Sequence, residues 1–256
     1  MMDKITPMLD IKDLSVSNRL MPMSFQVNSG EIVHVIGPNG SGKSTLLEVL
    51  AGLLSHQGTV AFNGESIAQY DLKELAKIRA YLCQSDRPAF NMSVFQYLSL
   101  SISKDAHHDL VEKAVGEITT QLCITDKLGK SIHHLSGGEW QRVRLAGVCL
   151  QVWPTLNSDA KVLLLDEPAA PLDVGQESLL YQMIKVMASK GLTVVMANHD
   201  LNRTLRHSDK VLILKEGVLK AVGETKSLLT SQLMTEIFST QVTRIEHDGQ
   251  THLLFD

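Results

Sequence analysis

The sequence predicts an α/β protein with a mostly parallel core sheet, an N-terminal antiparallel β portion and an inserted helical block. Three observations carry that prediction. The runs Val162-Leu163-Leu164-Leu165 and Thr193-Val194-Val195-Met196-Ala197 are apolar without alternation, and a helical pattern from about Gln176 to Lys190 separates them. Such runs read as parallel strands buried on both faces. The apolar stretch Ile32-Val33-His34-Val35-Ile36 leads into the glycine-rich Gly37–Thr45 and then into a helix through Leu50, stopped by Gly52. From about Asp71 to Leu128 the pattern becomes mostly helical and more polar, which marks the inserted block.

The remaining elements follow in order. Leu9 and Ile11 alternate with polar residues, as do Met23, Phe25 and Val27, so the chain begins as half-buried strands. Gly58 to Gly64 is strand-like and ends in the Asn63-Gly64 turn signal. Leu110, Ala114, Glu117 and Ile118 share one helical face with a single polar member. Val211-Leu212-Ile213-Leu214, the turn Lys215-Glu216-Gly217, and Val218 onward predict a hairpin. A short helix near Lys226–Phe238 and a β-like tail close the chain, with no internal repeat or flexible linker.

Bulk composition narrows the function. The chain has 256 residues, 44% hydrophobic and 20% charged, an ordinary globular mixture. A net charge of −4 gives no reason to expect nucleic acid. No apolar run approaches the roughly 18–20 residues needed to span a bilayer. Met1-Met2-Asp3-Lys4 lacks the apolar core of a signal peptide. Cys83, Cys123 and Cys149 are scattered, and free thiols in a reducing cytoplasm are expected. Any membrane role must then come through a partner.

The chemistry lies in three stretches. Gly37-Pro38-Asn39-Gly40-Ser41-Gly42-Lys43-Ser44-Thr45 fits the phosphate-loop pattern, between a strand and a helix as that motif requires. Its glycines let backbone N–H groups converge on an anion, Lys43 reaches β- and γ-phosphates, and Ser44 offers a hydroxyl to Mg²⁺. Val162 to Leu165 ends in Asp166-Glu167, an acid pair at a strand terminus, where Asp166 would hold the metal and Glu167 would polarise an attacking water. Leu135-Ser136-Gly137-Gly138-Glu139-Trp140-Gln141-Arg142 opens a helix on which Val143, Ala146 and Leu150 recur, with Ser136 at the N-cap. That helix start is a second anion site. A chain with its own phosphate loop needs no second reader, whereas a second chain would, so the nucleotide is expected between two copies arranged head to tail.

With these three ordered motifs the sequence resembles the ATP-binding cassette (ABC) ATPases over essentially its whole length. The resemblance implies an ABC-type nucleotide-binding domain that uses ATP and Mg²⁺, with residues 1–256 as one unit. Its β and RecA-like parts would be about 1–84 and 151–256, and its helical subdomain about 85–150. It implies catalytic roles for Glu167 and His199, the latter in Ala197-Asn198-His199-Asp200. It places Gln84 at a loop that senses the metal and touches the membrane partner, Ser44, Gln84 and Asp166 at the metal, and Asp173, in Pro171-Leu172-Asp173, at the family's D-loop among the nucleotide-binding residues. Ser136, Gly137 and Gly138 of one protomer would face the ATP held by Lys43 of the other. Two departures stand out. Most members stack an upstream aromatic residue on adenine, but Leu14-Ser15-Val16-Ser17-Asn18-Arg19-Leu20 contains none, leaving the Arg19 guanidinium as a candidate. Pro171 also stands where small residues are usual.

One cassette without a fused membrane domain, and a short tail after Gly223, resembles the ATPases of type II importers for iron-siderophores, haem and cobalamin. Lys127-Leu128-Gly129-Lys130-Ser131, Ser136 to Ala146 and His199 to His207 are similar to the subfamily that drives vitamin B12 (cobalamin) import. An iron-siderophore or haem importer, and a non-transport cassette, are the alternatives. The implied partners are a second ATPase copy forming a homodimer, two polytopic permease subunits and, indirectly, a periplasmic substrate-binding protein, with no nucleic acid. The implied location is the cytoplasmic face of the bacterial inner membrane. The segment Ser85 to Leu100, with Pro88, Phe90, Met92, Val94 and Phe95, would form the permease groove or belong to ordinary core. The pairs His107-His108 and His133-His134 lack metal spacing and read as solvated. His34 reads as a satisfied core residue, and Trp140 and Trp153 as packing.

Overall fold

The computed structural model describes residues 6–84 and 87–256, so the readings of Met1 to Lys4 and of Ser85 lie outside the described residues. The alternating N-terminal residues form the hairpin β1 (Leu9–Val16) and β2 (Leu20–Val27). β3 (Ile32–Ile36) is buried at every position and feeds the glycine-rich loop and α1 (Lys43–Leu50). β4 (Gln57–Phe62) and the short β5 (Glu65–Ser66) are joined by Asn63-Gly64, both at positive φ as a tight hairpin turn needs. These first strands make an antiparallel sheet in the order β2-β1-β4-β5.

α2 (Leu72–Ile78) starts at a capping box built by Asp71 and Glu74 and runs directly into β6 (Arg79–Leu82). Then come α3 (Val94–Ser99), α4 (His108–Gln121) and the long α5 (Gly137–Gln151). β7 (Val162–Asp166), α6 (Val174–Ser189), β8 (Thr193–Ala197), α7 (Leu201–His207), β9 (Lys210–Lys215) and β10 (Val218–Glu224) return the chain to the sheet. α8 (Thr225–Leu228), α9 (Ser231–Phe238) and the hairpin β11 (Val242–His247) and β12 (Gln250–Phe255) follow.

The central sheet has the order β10-β9-β3-β8-β7-β6, with five strands parallel and only β10 antiparallel. β7 and β8 are buried throughout, which is why their sequences do not alternate. One face packs on α5, α6 and the helices between β6 and β7; the other packs on α1 and the antiparallel sheet.

The structure corrects two expectations and sharpens a third. The stretch from Asp71 to Leu128, expected to be mostly helical, also holds β6, an edge strand parallel to β7. Its first residue disguises it: Arg79 is buried, and its guanidinium donates to the Ala51 carbonyl at 2.9 Å through Nε. The helix expected near Lys226–Phe238 is two helices, since Thr230 caps a new start by accepting from the Leu233 N–H at 3.3 Å. His34 is buried, but among the described residues only Nδ1 is partnered, by the Thr204 hydroxyl at 3.1 Å, while Nε2 has no partner.

Other readings agree with the packing. Trp140 and Trp153 are buried, the first edge-on to Tyr97 and the second beneath the Lys190 ammonium. On α4, Ala114 and Ile118 face the core as expected and Glu117 pairs with Lys190 at 3.3 Å, but Leu110, expected on the same face, is exposed. The three cysteines are free.

Burial pushes the His34 imidazole down to about 3 and His207, stacked on Tyr181 at 4.1 Å, down to about 4. Lys185, Arg203 and Arg206 lower His207 further, against Asp200. The folded state therefore refuses protons that the unfolded state takes up below the ordinary value of 6.5. Stability should be fully present above that pH and fall as the pH drops towards the folded values, with a limiting slope of about 1.4 kcal/mol per pH unit from His34. Urea midpoints measured from pH 8 to pH 4 should show this decline, and His207→Gln should make it shallower.

Candidate active site

Parallel pairing brings three strand ends to one rim. Val35 of β3 and Asp166 of β7 both sit opposite Ala197 of β8, so the loops after Ile36, Asp166 and Ala197 emerge together. The loop after Ile36 is closely fitted: a Cβ on Gly37 would lie 2.0 Å from the Leu214 carbonyl oxygen. Gly42, at φ 103, starts α1 without any side-chain cap, so the first N–H groups of this helix are left for an anion.

Lys43 is buried and donates to the carbonyls of Gly37 at 3.0 Å and Pro38 at 3.2 Å, with the Glu167 carboxylate 3.9 Å away. Burial lowers its pKa while Glu167 and Asp166 oppose that change. Ser44 Oγ donates to Asp166 Oδ1 at 3.1 Å. Burial raises the Asp166 pKa, aided by Glu167 and Glu48 and opposed by the Ser44 hydrogen bond and Lys43. Glu167 has φ 46, a left-handed conformation that costs a non-glycine residue of order 1 kcal/mol.

A cavity of about 610 Å³ opens over this loop. Its walls are Asn39 to Thr45, Glu167, Gln84, the Asn18-Arg19 turn and the Glu216-Gly217 turn. Gly217 ties the two outer turns in place: its N–H donates to the Ser41 carbonyl, and its carbonyl accepts from Met21. A second cavity of about 440 Å³ adjoins, walled by Cys83, Gln84, Gln141, Arg144, Asp166, Glu167, Ala170 and Pro171. Gln84 and Glu167 border both.

The helix start at Ser136 is a capping box. Ser136 Oγ accepts from the Glu139 N–H at 3.2 Å, and Glu139 accepts from the Ser136 N–H at 2.8 Å. The Ser136 N–H and the Lys127 ammonium hold the Glu139 carboxyl down to about 2. Arg87 donates to the carbonyls of His133, Leu135 and Ser136, fixing the turn ahead of the helix. Gly138 lies against Gln176 of α6, whose amide oxygen would be 2.0 Å from a Cβ there.

The site residues read from sequence divide into two groups. Asn39 to Thr45, Gln84, Asp166 and Glu167 meet at the two cavities, with Gly37 and Pro38 behind them as acceptors for Lys43. Ser136, Gly137, Gly138, Asp173 and His199 line neither cavity. Asp173 caps α6 by accepting from the Gln176 N–H at 2.8 Å, and His199 stands exposed just beyond β8. The sequence reading passed over Gln141 and Arg144. Gln141 donates to the Pro168 carbonyl at 2.9 Å, while Arg144 donates to Gln141 and to the Cys83 carbonyl. The signal was available: polar residues three apart on a helix with few exposed positions need buried partners.

A family model described as ABC transporter matches residues 20–170. The chain is 55% identical over 251 residues to the vitamin B12 import ATP-binding protein BtuD of Vibrio atlanticus (strain LGP32), covering 97% of this chain and 100% of that protein. It is 53% identical over 250 residues to the protein of the same name from Photobacterium profundum, covering 97% and 99%. Among solved structures, cbiO1 from Clostridium perfringens, part of the ABC transporter complex cbiONQ, superposes with a TM-score of 0.75 at 26% identity over 90% of this chain and 94% of that one.

The strain and the chemistry at position 167 separate experimentally. Glu167→Gly should keep the thermal midpoint at or above that of the parent, because glycine takes the left-handed backbone freely. Glu167→Gln should retain nucleotide binding. Both should lose at least about 100-fold in hydrolysis, measured by phosphate release.

Proposed function

The chain belongs to the ABC transporter family, and from that premise we propose that it is the ATP-hydrolysing motor subunit of a bacterial vitamin B12 importer. The hydrolytic reading is carried by the convergence of Lys43, Ser44, Asp166 and Glu167 on one rim of the sheet. Near full-length identity to vitamin B12 import ATP-binding proteins supports the cargo.

The uncapped start of α1 and the loop N–H groups receive the phosphates of ATP, and Lys43 turns from its carbonyl acceptors to the β- and γ-phosphates. The Ser44 hydroxyl and Asp166 carboxylate, 3.1 Å apart, fit a Mg²⁺ ion that takes most of its other ligands from phosphate and water. Among the described residues no three His, Cys, Asp or Glu side chains form a metal cluster of their own, consistent with a site completed by substrate. Magnesium held by Ser44, Gln84 and Asp166 would neutralise charge on the phosphates. Glu167 takes the proton of the attacking water as its oxygen bonds the γ-phosphorus and the bond to the bridging oxygen breaks, giving ADP and phosphate. His199 hydrogen-bonds the γ-phosphate and orients that water.

Ser136 to Gly138 stand apart from both cavities of their own chain, which suits a role at the nucleotide of a second copy. A head-to-tail homodimer then closes on two ATP molecules, with Asp173 at the interface, and reopens after hydrolysis. Residues 1–256 act as one ATPase unit whose helical insertion, from about residue 85 to 150, faces the permease. Phe90, Phe95 and Leu100 are more than half exposed and offer an apolar seat to two permease subunits. No helix of the described residues is long and apolar enough to cross a membrane. In keeping with its likeness to vitamin B12 import ATP-binding proteins, the motor would work at the cytoplasmic face of the inner membrane, coupled through the permease to a periplasmic binding protein.

Radiolabelled cobalamin uptake in cells lacking their own import ATPase tests this reading. The parent chain should restore uptake and Glu167→Gln should not. Restoration of iron-siderophore uptake alone would shift the cargo. Mixed dimers test the arrangement: pairing a Ser136→Arg protomer with a Glu167→Gln protomer should leave one of the two composite sites intact. Hydrolysis at the protomer bearing Ser136→Arg is expected, and loss of hydrolysis at both protomers would exclude a head-to-tail site.

A further inference from the structure

Behind His199 lies a buried polar cluster that the hydrolytic reading does not use. Its centre is Asn198, only 2% exposed. The Asn198 backbone N–H donates to the Val35 carbonyl at 3.0 Å, extending the β3–β8 ladder one residue past β8. Its side-chain oxygen accepts from the Asp200 N–H at 3.1 Å, spanning His199 in an Asx turn. A backbone N–H can only donate, so this contact fixes the amide orientation. The NH₂ group then faces Tyr181 Oη at 3.1 Å, with Thr204 Oγ1 and His34 Nδ1 each at 3.4 Å.

The other side of His199 is equally tied. Asp200 caps α7 by accepting from the Arg203 N–H at 2.8 Å, and the Thr204 hydroxyl donates to the Asp200 carbonyl at 2.9 Å. His199 is thus the one exposed residue between a buried amide and a helix cap. Successive side chains at an extended strand end point to opposite sides, so anchoring Asn198 inward sends His199 outward.

We propose that Asn198 is the positioning residue for His199, fixing through its bond to the Asp200 N–H the turn from which the imidazole reaches the γ-phosphate. The proposal rests on the reading of His199 given above. The turn requires an acceptor at position 198; the bond from the amide to Tyr181 only holds the cluster together. The two contacts can therefore be removed separately.

Single-turnover ATP hydrolysis, ATP affinity and thermal midpoint are measured for five variants. Asn198→Ala should slow hydrolysis about tenfold or more while ATP affinity stays within about threefold. Asn198→Ser keeps an oxygen for the Asp200 N–H and should recover most of the rate, with a lowered midpoint. Tyr181→Phe should lower the midpoint and leave the rate unchanged. Asn198→Ala combined with His199→Ala should be no slower than His199→Ala alone. The proposal is overturned if the two losses multiply, if Tyr181→Phe slows hydrolysis as much as Asn198→Ala, or if Asn198→Ser is as slow as Asn198→Ala. If His199→Ala alone hydrolyses normally, the reading of His199 fails, and a slow Asn198→Ala would then owe its defect to something else.

Discussion

The site depends on the in-register parallel pairing of β3, β8 and β7. Ala197 lies opposite Val35 on one side and Asp166 on the other, so three loops must leave the sheet at one level. Shifting any one strand by a residue would exchange the side chains of its two buried faces as well as displace its loop. These strands are buried on both sides, so the hydrophobic core enforces the register that the chemistry needs. No single hydrogen bond at the rim has comparable leverage.

On that rim the chain holds charges that would be costly without one another. Lys43 and Asp166 are both at most 5% exposed, and burial moves both pKa values towards the neutral forms. Each raises the stability of the other's charged form, and carbonyl and hydroxyl partners satisfy what remains. On the proposed reading this arrangement is preorganised for triphosphate: the ligand would supply negative charge to Lys43 and the helix start, and a metal held at Asp166 would supply positive charge there. The left-handed backbone of Glu167 belongs to the same economy of placement, since a relaxed conformation would aim the carboxylate elsewhere.

Much of this was legible in one dimension. The loop at Gly37 to Thr45, the acid pair at 166–167 and the capped helix start at Ser136 are contiguous stretches whose chemistry follows from local backbone geometry. Strands β7 and β8 announced themselves as apolar runs without alternation, and β3 as an apolar stretch interrupted only by His34. Strand β6 did not, because it is only four residues long and opens on Arg79, whose charge is accommodated by a carbonyl distant in sequence. Gln141 and Arg144 were passed over for the same reason: their partners, Pro168 and Cys83, lie in other segments. That His34 Nε2 has no partner among the described residues likewise depends on what β8 and α7 place around it.

The sequence by itself determined the fold class, the phosphate-binding loop, the acid pair and the family, because each is written in neighbouring residues or in the period of apolar side chains. The tertiary structure decided which of those residues share a cavity. It joined Ser44 to Asp166 and Lys43 to Glu167, kept Ser136 to Gly138 away from both cavities, and set His199 on a turn anchored by Asn198. The physical reason is distance: the Ser44–Asp166 and Lys43–Glu167 pairings span more than a hundred residues, and the Asn198 amide that holds the local turn is itself held by Tyr181 of another element. Only the packing of a sheet buried on both faces fixes where such segments meet.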